Sequence, residues 1–364
     1  MKGIFLFMGG LLVSVQASSQ YLVSGKIENH GGRILLLAPT VSGACDTLGN
    51  SISADGTFCF KGSVDAPVAA EIHAVNTRLR FPVYLEKGNY KIEVDAEHPA
   101  SYRVEGGGEM QRLWNEFRET ELALSRQRDS LRAFYEKEYG KEDYFGRLQI
   151  KGVMNEYAEL YDKAEEAFIR EHDNLVSAGL LAGRCQTLVR NKKLSEKYAL
   201  LGEQARNSVQ GRWLKSYADK IARIIVGGTA PNLTMRTPEG DTLSIYGVKA
   251  KVKILDFWAS WCGPCRAENP NVKRIYELYK SKGLEIISIS LDVKVDAWRK
   301  AIEADRLPWK HMSDLKGWNS IVTDVYEIHG IPRLFVLDQD NRIIAEGLRG
   351  EALEKCVKEA LEKE

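Results

Sequence analysis

Along the first third of the chain apolar and polar positions alternate with a period of two. Tyr90-Lys91-Ile92-Glu93-Val94 is apolar at every second residue, the pattern of a half-buried strand. Ile34 to Leu37 is a short apolar run closed by Pro39, and Phe81 to Leu85 carries Pro82, which fits an edge strand. Asp55-Gly56, set between Ile52 and Thr57-Phe58-Cys59-Phe60, predicts a two-residue hairpin. Short strands with a turn every ten or so residues, from Tyr21 to Val104, predict a small all-β sandwich or barrel.

The period changes after Gly106-Gly107-Gly108. Met110, Leu113, Trp114 and Phe117 fall on one helical face, as do Ile150, Val153, Met154, Tyr157, Leu160, Tyr161, Ala164 and Phe168. Trp213, Leu214, Tyr217 and Ile221 make a third stripe. With charged residues between the stripes and no proline, residues 109–226 read as helices whose apolar faces serve packing. Gly227-Gly228 ends this part. Lys253 to Trp258 then reads as a strand, Val272, Ile275, Tyr276 and Tyr279 as a helical face, and Leu284 to Leu291 as a buried parallel strand. Another helix carries Trp298 and Ile302, and two strands follow at Leu334–Leu337 and Ile343–Ala345. Strands alternating with helices predict α/β architecture around a central sheet.

The chain start has a third pattern. Met1-Lys2 precedes an apolar run from Ile4 to Val15, followed by Gln16-Ala17-Ser18-Ser19. One positive charge, a short apolar stretch and small residues form a secretory signal, too short for the roughly 20 residues of a membrane span. An uncleaved anchor or a buried first strand is the other reading. The expected organisation is a signal peptide at 1–19, a β-rich domain at 20–105, a helical region at 109–226 and an α/β domain at 228–364. No cysteine precedes Cys45, so none stands at the cleavage site to take a lipid. Export of a soluble chain is therefore expected, into a compartment where thiol pairs persist as disulfides.

Composition narrows the function. The 364 residues carry 51 Lys+Arg against 50 Asp+Glu, so no basic field exists to hold nucleic acid. The 44% hydrophobic and 28% charged residues are those of an ordinary soluble protein. Six cysteines are too few for a disulfide-stapled scaffold, and what they do is local. The scattered histidines make no metal spacing with one another.

The sharpest chemistry is Cys262-Gly263-Pro264-Cys265, between a strand and a helix. Two cysteines three apart on a first helical turn can close the roughly 5.5 Å Cα separation of a disulfide. The unpaired N–H groups and dipole of the helix N-terminus stabilise a thiolate on the first cysteine. Pro264 suits that turn because its missing N–H had no partner there. Cys262 would attack a disulfide, and Cys265 would resolve the mixed disulfide. A structural zinc site needs four ligands, and no second Cys-x-x-Cys exists in the sequence. Haem attachment would need His where Arg266 stands. A peroxidatic cysteine usually follows a Thr by three residues, and Ala259 stands there.

Phe257-Trp258-Ala259-Ser260-Trp261-Cys262-Gly263-Pro264-Cys265-Arg266 resembles the active-site run of thioredoxins. Ala267-Glu268-Asn269-Pro270 resembles the exported TlpA/ResA branch, and Gly330-Ile331-Pro332 before a strand resembles the cis-proline loop. The resemblance covers about 228–364. Residues 21–104 more loosely resemble a β-rich domain of unknown function found ahead of such domains.

The resemblance implies a thioredoxin fold and a role for each matched residue. Cys262 becomes the exposed nucleophile, Cys265 the buried resolving cysteine, and Pro332 the cis-proline facing the disulfide. Ile331 would pair its backbone with an extended substrate. Trp261, adjacent to Cys262, would line the substrate surface, with Trp258 in the core. Asp256 matches the buried acid of thioredoxins and Glu268 the acid of the ResA branch. Either could take the proton of Cys265, and Glu268 ranks slightly ahead because the run after the cysteines follows that branch. Arg333, where a small residue is commoner, bears on substrate choice, and Asn341 stands for a turn glycine.

The expected function is thiol-disulfide exchange without cofactor or metal, with protein thiols and disulfides in the periplasm as substrates. The Gly-Pro dipeptide resembles that of reducing thioredoxins, near −270 mV, which favours reduction of protein disulfides. The family implies a membrane-embedded electron donor. A disulfide isomerase and a redox-switched binding protein are the alternatives. A Cys45–Cys59 bridge is open, and Cys185 and Cys356 read as buried hydrophobes.

Overall fold

The computed structural model describes residues 19–140 and 143–362, in two compact units divided between residues 216 and 217. The expected leader lies outside the described residues except for Ser19, where the first strand begins.

The first unit opens with eight strands: β1 (Ser19–Glu28), β2 (Gly32–Pro39), β3 (Cys45–Ser53), β4 (Thr57–Val64), β5 (Val68–Ala74), β6 (Arg80–Leu85), β7 (Gly88–Asp95) and β8 (His98–Gly106). They form two four-stranded sheets, β4-β1-β7-β8 and β3-β2-β5-β6. All neighbours are antiparallel except β1 and β7. Period-two patterning explains the core. Phe58 and Phe60 of β4 point inward while Thr57, Cys59 and Lys61 stay exposed, and Tyr90, Ile92 and Val94 do the same on β7. These residues join Ile34, Leu36, Ile72, Phe81 and Val83 of the other sheet in one apolar cluster, as a sandwich requires. Pro82 lies on the edge strand β6, where its missing N–H costs no ladder bond.

The hairpin expected at Asp55-Gly56 does not form, because β3 and β4 belong to different sheets. The turn is a corner instead. Asp55 Oδ1 accepts from Ser53 Oγ, Thr57 N and Thr57 Oγ1 at 2.7, 3.1 and 2.8 Å. Gly56, at φ +79°, offers its carbonyl to the Ile27 amide, which draws β4 onto β1. The crossing also separates Cys45 from Cys59. Both are free and exposed, one on β3 and the other paired across from Ser24 on β1, so the bridge left open above is not made.

Seven helices follow: α1 (Glu109–Tyr139), α2 (Tyr144–Glu171), α3 (Leu175–Gly183), α4 (Cys185–Arg190), α5 (Leu194–Ala199), α6 (Glu203–Asn207) and α7 (Val209–Ala222). Leu113, Trp114 and Phe117 of α1 meet Tyr161 and Phe168 of α2, together with Ala69 and Tyr84 of the sandwich. Buried Gln111 accepts from the Tyr84 amide at 2.8 Å. The α2 stripe is buried only in part, since Met154 faces solvent. Among the described residues no helix is long and apolar enough to cross a membrane.

The second unit holds a hairpin of β9 (Thr234–Arg236) and β10 (Thr242–Ser244), then β11 (Val252–Trp258), α8 (Gly263–Tyr279), β12 (Leu284–Ser290) and α9 (Val295–Asp305). It closes with β13 (Lys310–Met312), α10 (Ile321–Val325), β14 (Arg333–Asp338), β15 (Ile343–Glu346) and α11 (Gly350–Glu362). The main sheet has the order β13-β12-β11-β14-β15. β11, β12 and β13 run parallel, whereas β14 is antiparallel to β11 and β15 to β14. Every residue of β11 is buried, as a central strand covered on both faces demands. The chain is thus multidomain: β sandwich, helices, and an α/β thioredoxin-like fold.

Candidate active site

The strand β11 delivers the chain to the site. It ends at Trp258, and α8 begins five residues later with Cys262 as its N-cap. The Cys262 Sγ accepts from the Cys265 amide at 3.2 Å, so a sulfur takes the capping position that an oxygen usually fills. Pro264 occupies the first turn, and Cys262 and Cys265 are joined as a disulfide with 5.3 Å between their Cα atoms. Cys262 is 5% exposed and Cys265 3%. In the oxidised form, then, burial does not make Cys262 the exposed member of the pair, and what separates the two is position on the helix. Only Cys262 stands beyond the first N–H groups, where dipole and donors converge on its sulfur.

The loop before the cysteines is tied down. Asp292, itself buried, accepts from Ser260 N at 2.9 Å, Ser260 Oγ at 2.5 Å and Ser290 Oγ at 2.7 Å. Arg266 grips Asp305 with two guanidinium nitrogens and donates to the Ser260 carbonyl at 3.3 Å. Asn269 donates to the same Asp305 carboxylate at 2.7 Å.

Behind the disulfide Asp256, Cys265, Glu268 and Pro332 line one cavity of about 20 Å³, room for about one water molecule. The Ile331–Pro332 peptide is cis. Ile331 is half-buried, just before β14, and Trp261 lies outside this cavity, 54% exposed. Trp258 is fully buried in the core. The two acids differ. Burial pushes the Asp256 carboxyl up to about 6, against the hydrogen bond from Ser288 and with the nearby Glu268 charge adding to it. Glu268 is half-buried, and its Oε1 already accepts from Asn271 Nδ2 at 2.7 Å and Gly350 N at 3.0 Å.

Asp256 has supports that the sequence reading missed. Ser288 Oγ donates to Asp256 Oδ2 at 2.8 Å and accepts from Trp309 Nε1 at 2.8 Å. Asp256 pairs across to Ser288, and Ser288 to His311, so the three lie in one row across β11, β12 and β13. Burial pulls His311 down to about 4, leaving it neutral near pH 7. The signal was visible: Ser288 and Ser290 interrupt a run otherwise fit for a fully buried strand, where polar groups persist when they are hydrogen-bonded. Replacing Ser288 by Ala removes a bond that favours the charged carboxylate. The Asp256 pKa should then rise further, by about one unit. A pH titration of the exchange rate checks this, with the limb assigned to Asp256 moving to higher pH.

Two of the departures noted above have clear surroundings. Arg333 pairs with Glu346 at 2.6 Å, and Asn341 takes φ +63°, the backbone a turn glycine would adopt.

Residues 250–343 match a family model described as thioredoxin-like, and residues 21–113 match a domain of unknown function, DUF4369. A thiol-disulfide oxidoreductase ResA of Bacillus cereus is 32% identical over 149 residues, 41% of this chain and 84% of the relative. The ResA of Bacillus thuringiensis subsp. konkukian gives the same identity and coverage. Among solved structures, a thiol-disulfide oxidoreductase from Bacteroides fragilis is 33% identical, with TM-score 0.34, covering 36% of this chain and 98% of that one. With a thioredoxin-like α/β unit, a Cys-Gly-Pro-Cys disulfide at a helix start and relatives covered over most of their length, the chain belongs to the ResA family of thiol-disulfide oxidoreductases.

Proposed function

We propose that the protein reduces disulfides of other proteins in the periplasm, with residues 228–364 as its catalytic part, residues 20–105 as a β-rich part and residues 109–226 as a helical part. One observation supports this most: of the cysteine pair at the start of α8, Cys265 shares a cavity with a buried carboxylate whose pKa is about 6. The thiolate of Cys262 attacks a substrate sulfur, the substrate disulfide breaks, and one substrate thiolate leaves. The mixed disulfide is then cut by Cys265, whose thiolate attacks Cys262 Sγ and frees the second thiol. Substrate is reduced by two electrons, and the Cys262–Cys265 pair is oxidised.

Cys265 must lose a proton for the second step, and Asp256 is its acceptor, directly or through one water in the shared cavity. A carboxylate with a pKa near 6 is a stronger base than an ordinary one and is still mostly ionised at pH 7. The hydrogen bonds already made by Glu268 argue for a lesser role, raising Asp256 through its charge. Pro332 faces the pair, Ile331 offers backbone to an extended substrate, and Trp261 borders it. A membrane-embedded donor returns the pair to dithiol, and a cleaved leader brings the chain to that compartment.

Insulin reduction measured beside refolding of scrambled ribonuclease tests the reading. A reductase precipitates insulin chains and reactivates ribonuclease poorly. Strong reactivation with weak insulin reduction would make the protein an isomerase, and failure in both would leave a redox-switched binder.

A further inference from the structure

Beside the cysteine pair lies an apolar surface that the exchange chemistry does not use. Trp261, Val293, Trp318 and Ile321 each leave about half or more of their surface in solvent. The two indole rings lie 6.1 Å apart, tilted by 51°, and Val293 packs over the turn at Gly317, directly before Trp318. A soluble protein gains nothing by holding large apolar side chains together in water, and such patches mark binding surfaces. From Trp318 a groove of about 460 Å³ runs along Thr323, Asp324, Glu327 and Ile328 to His329, next to the Gly330-Ile331-Pro332 loop. Glu327 is occupied within it, accepting from the Tyr217 hydroxyl at 2.8 Å, facing His329 at 3.0 Å and paired with Lys220. The groove is thus rimmed by polar groups that already have partners, with an indole as its open wall.

We infer that Trp318, with Trp261, selects substrates in which the reacting cysteine is flanked by an aromatic side chain in an extended segment. The inference rests on the exchange reading above, because only a segment presenting a cysteine to Cys262 must lie across Trp261. Continuity with the redox centre therefore names the occupant: the polypeptide on either side of the substrate cysteine. Its flanking side chain enters between Trp318 and the groove, where an aromatic ring meets an indole face at good separation. A short aliphatic or polar flank leaves Trp318 in water and gains nothing.

Two peptides test this, Gly-Phe-Cys-Phe-Gly and Gly-Ala-Cys-Ala-Gly, each carrying thionitrobenzoate on its cysteine through a disulfide. Attack of reduced Cys262 on the peptide sulfur forms the mixed disulfide and releases thionitrobenzoate, whose absorbance gives the second-order rate constant. The wild-type protein should react about tenfold faster with the Phe peptide. Trp318→Ala should bring the ratio close to one, and Trp318→Phe should keep most of it. Leu278→Ala, an equally exposed apolar truncation near the end of α8, should keep the wild-type ratio. A wild-type ratio near one, or an unchanged ratio in Trp318→Ala, overturns the inference and leaves the exchange reading standing. No reaction with either peptide removes both.

Discussion

Cys262→Ser abolishes disulfide exchange, a loss on the order of 10³-fold or more, while Cys265→Ser still attacks substrate and then stalls as a mixed disulfide. The difference follows from where each sulfur sits on α8. Cys262 is the N-cap and its sulfur accepts from the Cys265 amide, at the helix end where a thiolate is stabilised before substrate arrives. Cys265 lies within the first turn and lines one cavity with Asp256, Glu268 and Pro332; in the proposed mechanism it acts only after Cys262 carries the substrate. Non-reducing electrophoresis after mixing each reduced variant with insulin should show an adduct for Cys265→Ser and none for Cys262→Ser. Equal adducts from both would mean that helix position does not distinguish the sulfurs.

The second large effect is at Asp256, where chemistry and stability move in opposite directions. Asp256→Asn removes the carboxylate proposed above as the general base, and release of the mixed disulfide should slow on the order of 10²-fold or more, with attack by Cys262 less affected. The same change should stabilise the fold at neutral pH. The Asp256 pKa is raised from 3.8 to about 6, so between those values the native state binds more protons than the unfolded chain. Stability contributed by this group is present at low pH and is lost as pH rises through the window from about 4 to about 6. A shift of that size corresponds to about 3 kcal/mol. Asp256→Asn should therefore match the wild type near pH 4 and exceed it by up to about that amount near pH 7. His311 titrates in an overlapping window with the opposite sign. Its pKa is lowered to about 4, so its contribution falls as pH falls below 6.5. It is common to both proteins and cancels in their difference. Urea unfolding of both across pH 4 to 8 measures it. A stability gap that stays flat with pH would remove the buried, proton-binding carboxylate from the account.

Much of the α/β unit was legible because its signals are local. The continuous apolar strands, the Cys-Gly-Pro-Cys turn and the Gly-Ile-Pro loop each need only a few residues to be read, and the protein has strands, helix start and cis peptide at those positions. The hidden parts are those set by distant residues. Asp55-Gly56 has hairpin composition, yet the side-chain bonds of Asp55 and the Ile27 amide turn it into a corner between sheets. The parallel pairing of β1 with β7 joins segments more than sixty residues apart and leaves no local trace. β9, β10 and β13 are three residues each, too short for any period. Ser288 could have been noticed as a polar residue in a buried strand, but its pairing with Asp256 depends on register, and the Trp309 bond on a side chain 21 positions further on. The preference for Glu268 rested on a neighbouring motif; both acids line the cavity, and the deeper burial of Asp256 and the hydrogen bonds already made by Glu268 turn attention to Asp256.

Peptide mapping of the adduct between Cys265→Ser and a protein disulfide tests the central claim most directly. Cys45 and Cys59 are free and exposed, so these two thiols compete with Cys262 for the substrate in this variant under the same conditions. The account predicts substrate on Cys262 alone, even though Cys262 is the most buried of the three in the oxidised form, because only its sulfur sits at a helix N-terminus. Substrate on Cys45 or Cys59, with Cys262 left as a free thiol, would contradict it.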